Sequence, residues 1–308
     1  MSGLAVLCPG QGGQRAGMLD LALATAAGAE VIRRASAAAG LDLAALAGAG
    51  GPDTFRNAVA QPLLCAVELA TWAALRASLP RPRLLAGYSL GELAAYGCAG
   101  ALEVEALASL AARRAAIMDA AAGARGGLVA LRGLSPGRAE ALARGAGAEV
   151  AIVNGPDHCI VGGPDAALAE VARVAARAGV KAQRLCVDVA AHTSALAAAV
   201  PPFREALSAS ALRDPGVPVL AGISGEPVRD RAGAIAALSR QLAERVEWGR
   251  CLAAAAELGC TAFLELGPGT ALARMVAEAL PGAEARSVDE FRSVEGVARW
   301  VAARLSAG

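Results

Sequence analysis

The stretch LLAGYSLGELAAYG, residues 84–97, constrains this chain more than any other. An apolar run of strand type ends in Gly87-Tyr88-Ser89-Leu90-Gly91 and passes without a spacer into alanine-rich helical sequence. The G-x-S-x-G pattern places a serine on a strand-to-helix turn so tight that the residues two positions away must be glycine. The pattern alone is short. Between a strand and a helix it makes Ser89 a candidate nucleophile, and the helix start supplies free backbone N–H groups, that of Leu90 among them, for an oxyanion.

The surroundings read as an α/β domain. GLAVLCPG (3–10) has the character of a buried strand closed by Pro-Gly, and helical spacing runs over 18–40, 62–79 and 90–122. From Gly126 the rhythm changes to strand, helix, strand, strand, helix, strand, the β-α-β-β-α-β order of a ferredoxin-like unit. The expected division is therefore a large discontinuous domain, 1–125 and 190–308, with a ferredoxin-like subdomain inserted at 126–189. In the last part, strands at VPVLAGI and TAFLEL alternate with helices, the second strand leading into Gly267-Pro268-Gly269-Thr270. That loop reads equally as a weak anion nest at a helix start or as a plain turn.

A serine hydroxyl needs a general base, and the chain holds only two histidines. His192 follows a strand, where α/β active sites collect. His158 sits in the NGPDHC turn, a place usually solvated, so His192 is the expected base. The second glycine-rich loop, CPGQGGQ (8–14), lacks both dinucleotide and Walker spacing. Its backbone suits close approach to a carbonyl, which makes the N–H of Gln11 a candidate second oxyanion donor. Arg113 and Arg114 lie on the helix after the elbow.

A net charge of +1 argues against nucleic acid as a partner. Seven cysteines without a C-x-x-C pair read as reduced thiols, with Cys8, Cys65, Cys98 and Cys186 in apolar stretches. No uncharged apolar run reaches the roughly 20 residues that span a bilayer. The opening MSGLAVLCPG reads as strand and not as a leader, so a cytoplasmic protein without a membrane partner or metal is expected.

Taken together these segments resemble the malonyl-CoA:acyl-carrier-protein transacylase family. PGQGGQ is similar to its N-terminal loop, GYSLGE to its elbow, RRAAIM to its arginine helix, and NGPDHCIVGG to its hairpin. AAHTSAL is similar to its histidine segment and FLELGPG to its late turn. The resemblance implies that Ser89 attacks a malonyl thioester with His192 as base, the oxyanion lying between the N–H groups of Gln11 and Leu90. It further implies that Arg114 holds the malonyl carboxylate and that the backbone carbonyl of Glu247 orients the histidine. Malonyl-CoA is then the donor, the phosphopantetheine-type arm of an acyl carrier protein the acceptor, and no cofactor is bound. Tyr88 and His158 depart from the histidine and glutamine usual in the family, and Glu247 from a glutamine. With GISGEPVRDRAGAIAALSRQLAERVEW (222–248), these departures look like the malonate decarboxylase branch, which implies that branch's own carrier subunit as acceptor. Arg81, Arg83 and Arg231 are candidate contacts for an acidic carrier.

Within the transferase reading the alternative acceptor is the carrier protein of fatty-acid synthesis, and two readings of other classes compete. A serine hydrolase of the α/β-hydrolase kind needs several strands before the elbow and a third, acidic member, for which Asp188 stands nearest to His192 in sequence. A binding subunit without activity needs the nucleophile, base or arginine to be lost, and all three residue types are present.

Overall fold

The computed structural model describes residues 2–123 and 125–306. β1 (Gly3–Cys8) is buried along its whole length, as a strand covered on both faces must be. Three helices follow: α1 (Asp20–Leu23), α2 (Ala26–Ala39) and α3 (Leu43–Ala49). The Thr25 side chain caps the start of α2 and left-handed Gly40 ends it. α4 (Asn57–Leu75) is so apolar that, with its 3₁₀ extension to Ser78, it has the length and composition of a membrane span. It is instead the central core helix, with 78% of its most apolar window buried.

β2 (Leu84–Gly87) pairs with β1 in parallel and leads through the elbow into α5 (Leu90–Cys98). The helix expected to run unbroken over 90–122 is two helices. Left-handed Gly100 (φ 75°) turns the chain after α5, and α6 (Val104–Ala121) starts afresh.

β3 (Gly126–Arg132), α7 (Pro136–Ala146), β4 (Glu149–Gly155), β5 (His158–Pro164), α8 (Asp165–Arg177) and β6 (Lys181–Arg184) form a second, antiparallel sheet of order β4-β5-β3-β6 with its helices. The strand expected over KAQRLCVDV ends at Arg184. Alternation decides which way each side chain goes. Val129, Leu131, Cys159 and Val161 pack with α7 and α8, while Leu128 and Ile160 join Leu7, Phe263 and Trp248 of the first unit in one core.

The chain returns through α9 (Val200–Ala209), β7 (Val219–Leu220), β8 (Pro227–Val228) and α10 (Arg231–Gln241). It ends with α11 (Trp248–Glu257), β9 (Cys260–Glu265), α12 (Ala271–Ala279), β10 (Glu284–Ser287) and α13 (Val294–Ser306). The main sheet has the order β10-β9-β1-β2-β7-β8, parallel except for β8. The loops after β1, β2 and β9 therefore leave the same carboxyl edge, where open α/β sheets bind ligands.

Candidate active site

The elbow stands on two glycines. A Cβ at Gly87 would lie 2.1 Å from the Glu92 nitrogen, and one at Gly91 2.0 Å from the Cys8 carbonyl oxygen. Only glycine lets β1 and the start of α5 come so close. Ser89 is thereby held at φ 55°, ψ −112°, a backbone conformation that L-residues avoid and that persists only when the surroundings impose it. Among the described residues one other non-glycine has positive φ, and it is His192 at 64°.

These two strained residues meet. Ser89 Oγ lies 2.6 Å from His192 Nε2, and His192 Nδ1 lies 2.6 Å from the backbone carbonyl oxygen of Gln241. A carbonyl only accepts, so Nδ1 carries the proton and Nε2 receives the bond from the serine hydroxyl. His192 is 1% exposed. Burial lowers its pKa to about 4, against the lift from the Gln241 carbonyl and with a further push down from the charge of Arg114. The imidazole is neutral at neutral pH, which is the state a general base requires.

Gln241 ties the site together. Its backbone orients the imidazole, its side-chain N–H groups donate to the Ser89 carbonyl at 3.0 Å and to Glu92 Oε2 at 2.6 Å, and its Oε1 accepts from Arg114 at 3.3 Å. Arg114 is 2% exposed, whereas its neighbour Arg113 is exposed. Its second acceptor is Gln61 Oε1 at 2.9 Å, so both partners are neutral amides. Burial lowers the guanidinium to about 10, leaving it charged at neutral pH. Glu92 is fully buried, accepts from the Gly222 N–H at 2.9 Å, and is raised to about 7 chiefly by burial.

Leu90 is the first residue of α5, whose N–H has no acceptor within the helix. On the other side the loop after β1 closes in: a Cβ built on Gly10 would be 3.7 Å from the Ser89 Cβ. Gln11 follows, with Gln14 bracing the loop by accepting from the Gly12 N–H at 2.6 Å and donating to the Thr54 carbonyl at 3.0 Å. A cleft of about 360 Å³ opens from Gln11 along Phe55, Asn57, Asp119, Arg125 and Asp188. A larger cavity, about 630 Å³ between Arg15, Asp20 and Phe291, touches none of these groups.

A strained serine, a neutral imidazole and a charged buried arginine, joined through Gln241, suit transfer of an acyl group. A model of the acyl transferase domain matches residues 6–300. The chain belongs to that family. The malonyl CoA-acyl carrier protein transacylase of Mycobacterium tuberculosis (strain H37Rv) is 35% identical over 293 residues, covering 92% of this chain and 96% of that protein. The solved malonyl CoA-acyl carrier protein transacylase of Xanthomonas oryzae superposes with a TM-score of 0.92 at 32% identity, covering 99% of each chain. A type II polyketide-synthase acyl carrier protein in complex with its malonyl-transacylase matches at 0.90 and 26% identity, covering 100% of each.

In this acyltransferase several expectations are corrected. The carbonyl that orients His192 belongs to Gln241, six residues before Glu247, because α10 ends against the imidazole. Glu247 donates its N–H to the Gly222 carbonyl at 2.7 Å, and its carboxylate pairs with Arg245 at 2.7 Å and more loosely with Arg250 at 3.9 Å. Asp188 has no bond to His192, whose two nitrogens are taken by Ser89 and Gln241. His158 is buried, beside the Asn154 amide at 3.3 Å. Cys186 is exposed. In the Gly267–Thr270 loop the Gly269 N–H is already taken by the protein's own Asp289 carboxylate at 2.8 Å.

Arg81 and Arg83 precede β2, about 26 and 20 Å of extended chain from Ser89 at some 3.3 Å per residue, so they sit at the opposite edge of the sheet. Arg81 donates to the Gly216 carbonyl. Arg231 donates to the Leu212 and Ser208 carbonyls at 2.9 and 2.5 Å, at the far end of α10 from Gln241. None of the three faces the cleft.

Sequence reasoning overlooked Gln61, Glu92 and Gln241. The first two carried a signal, as buried polar positions in apolar helical sequence; Gln241 carried none.

Proposed function

We propose that this acyltransferase moves a malonyl group from malonyl-CoA to the thiol of an acyl carrier protein through an ester on Ser89. Ser89 Oγ attacks the thioester carbonyl and gives its proton to His192 Nε2. The tetrahedral oxyanion is held by the N–H groups of Gln11 and Leu90. Collapse breaks the carbon–sulfur bond, and the leaving CoA thiolate takes the proton from the imidazolium. The carrier thiol then delivers its own proton to His192 and attacks the ester carbonyl; the carbon–oxygen bond breaks, and the leaving Ser89 Oγ takes that proton back from the imidazolium. Residues 1–125 and 190–308 serve as the catalytic domain and 126–189 as the inserted subdomain, in a cytoplasmic protein.

The observation that carries the malonyl assignment is the chemistry around Arg114. A buried cation held by two amide oxygens, with no carboxylate directly on it, is positioned without being neutralised. A malonyl carboxylate completes it through two parallel N–H···O bonds. An acetyl group leaves it unpaired.

For the acceptor, the GYSLGELAAY and 222–248 segments support the carrier subunit of malonate decarboxylase, whose arm is a modified dephospho-CoA. Full-length likeness to malonyl CoA-acyl carrier protein transacylases lends equal support to the phosphopantetheine carrier of fatty-acid synthesis. Competition between the two carriers for one malonyl-loaded enzyme separates them. Faster discharge onto the decarboxylase carrier is expected, and preference for the fatty-acid carrier would replace the first assignment with the second. Discharge to water at the same rate with or without a carrier would point to a thioesterase.

A further inference from the structure

The arginine is held in place by a relay that runs out to the surface. Gln61 and Asn57 stand four residues apart on one face of α4, and Arg114, Ala115, Met118 and Asp119 on the facing side of α6. Arg114 donates to Gln61 Oε1 at 2.9 Å. Gln61 Nε2 donates to Asn57 Oδ1 at 2.6 Å and touches Met118 Sδ at 3.4 Å. Asn57 Nδ2 donates to Asp119 Oδ1 at 2.7 Å and to the Ala115 carbonyl at 3.3 Å.

The direction of this chain is fixed at both ends. A guanidinium has donors only and a carboxylate acceptors only, so each amide between them has one orientation that satisfies every link. Without the carboxylate, Asn57 Nδ2 keeps only the longer bond to the Ala115 carbonyl at 3.3 Å, and the side chain is freer to turn over. Its NH₂ then faces that of Gln61, and Gln61 gains by turning as well, which presents an NH₂ to the guanidinium. The burial gradient matches that logic. Gln61 is 0% and Arg114 2% exposed, Asn57 is half-buried, and Asp119 lies at the cleft where water reaches it. A charged anchor is thus tolerated at the wet end, and its influence reaches the dry end through two neutral amides. Had a carboxylate been placed directly on Arg114, it would compete with the acyl carboxylate for the same donors.

We propose that Asn57 and Asp119 are positioning residues that set the acyl selectivity of the site by locking the Gln61 amide toward Arg114. This rests on the reading of Arg114 as the group that holds the substrate carboxylate. The test is the ratio of kcat/KM for malonyl-CoA to that for acetyl-CoA in wild type, Asn57→Ala, Asp119→Ala, Asp119→Asn and Arg114→Ala, with thermal unfolding of each variant to establish folding. Asp119→Ala and Asn57→Ala should lower the ratio by about three- to tenfold, the scale of one net hydrogen bond, mainly through a higher malonyl KM. Asp119→Asn, which retains an acceptor oxygen for Asn57, should restore most of the ratio. A ratio that falls in Arg114→Ala and stays at the wild-type value in both alanine variants overturns the relay. A ratio unmoved by Arg114→Ala overturns the reading beneath it instead. Equal loss in Asp119→Asn and Asp119→Ala also counts against the relay, because the acceptor oxygen would then be irrelevant.

Discussion

Replacing Arg114 by alanine should damage malonyl transfer far more than acetyl transfer, and the size of the gap follows from the surroundings. The guanidinium is 2% exposed and, with its pKa lowered only to about 10, still charged at neutral pH. Breaking a buried ion pair by deleting one partner typically costs roughly 3–5 kcal/mol, because the other charge stays behind in a dry site. Here the substrate carboxylate is the charge left behind in the variant. The guanidinium it meets in wild type already has amide partners at 2.9 and 3.3 Å and the field of Glu92. The lower end, about 3 kcal/mol, therefore applies. At about 1.4 kcal/mol per tenfold, that is roughly two orders of magnitude in relative kcat/KM. Steady-state rates with malonyl-CoA and acetyl-CoA, measured on wild type and Arg114→Ala, read it directly. Arg114→Lys should fall between them, since an ammonium keeps the charge and loses the two-pronged geometry. Equal losses for both acyl groups would refute the reasoning.

Protonation of His192 removes the base, and burial holds its pKa near 4. Acylation kcat/KM should stay level as pH falls through 6.5 and drop only toward about 4, and a midpoint at the ordinary histidine value of about 6.5 would contradict this. In Arg114→Ala the midpoint should move up, because a positive neighbour that disfavours the imidazolium is gone. Glu92 is raised from 4.5 to about 7, so its protonated form favours the fold and its contribution is lost as pH climbs through that interval. Glu92→Gln stays neutral throughout, and its Tm relative to wild type should rise between about pH 4.5 and 7; a difference independent of pH would argue otherwise. Gly91→Ala places a Cβ 2.0 Å from one backbone oxygen and 2.5 Å from another, so it should cost about 1–3 kcal/mol of stability and at least tenfold in acylation. Gly48→Ala, with open space around it inside α3, should be neutral or stabilising. Matching behaviour of the two glycine variants would remove the steric account of the elbow.

The elbow was legible because its requirement is local. Gly87 and Gly91 are dictated by contacts within a few residues or with the neighbouring strand, and the sequence around Ser89 displays strand, turn and helix in order. The β-α-β-β-α-β unit was legible for a similar reason, since its alternation of apolar residues switches period where strands give way to helices. The histidine partner was not. Whether Gln241 or Glu247 meets the imidazole depends on where α10 ends against a segment some fifty residues earlier, and no short-range pattern encodes that contact. His158 shows the same gap. A hairpin position suggests solvent, yet the residue is only 8% exposed and lies beside the Asn154 amide. For Arg113 and Arg114 the helical phase alone left both open, and the face of α6 that packs on α4 makes one a surface residue and the other the cation of the site. The three arginines read as carrier contacts lie away from the cleft: Arg81 and Arg83 because residues ahead of a parallel strand and residues after it lie at opposite edges, and Arg231 because it starts α10 while Gln241 ends it.

The central claim is a malonyl ester on Ser89, and intact mass spectrometry tests it most directly. The protein is mixed with equal malonyl-CoA, methylmalonyl-CoA and acetyl-CoA, beside a Ser89→Ala control. A malonyl adduct on the wild type, in excess over the other two and absent from the control, is the expected result. No adduct with the CoA esters left intact, or an adduct that survives Ser89→Ala, would contradict it.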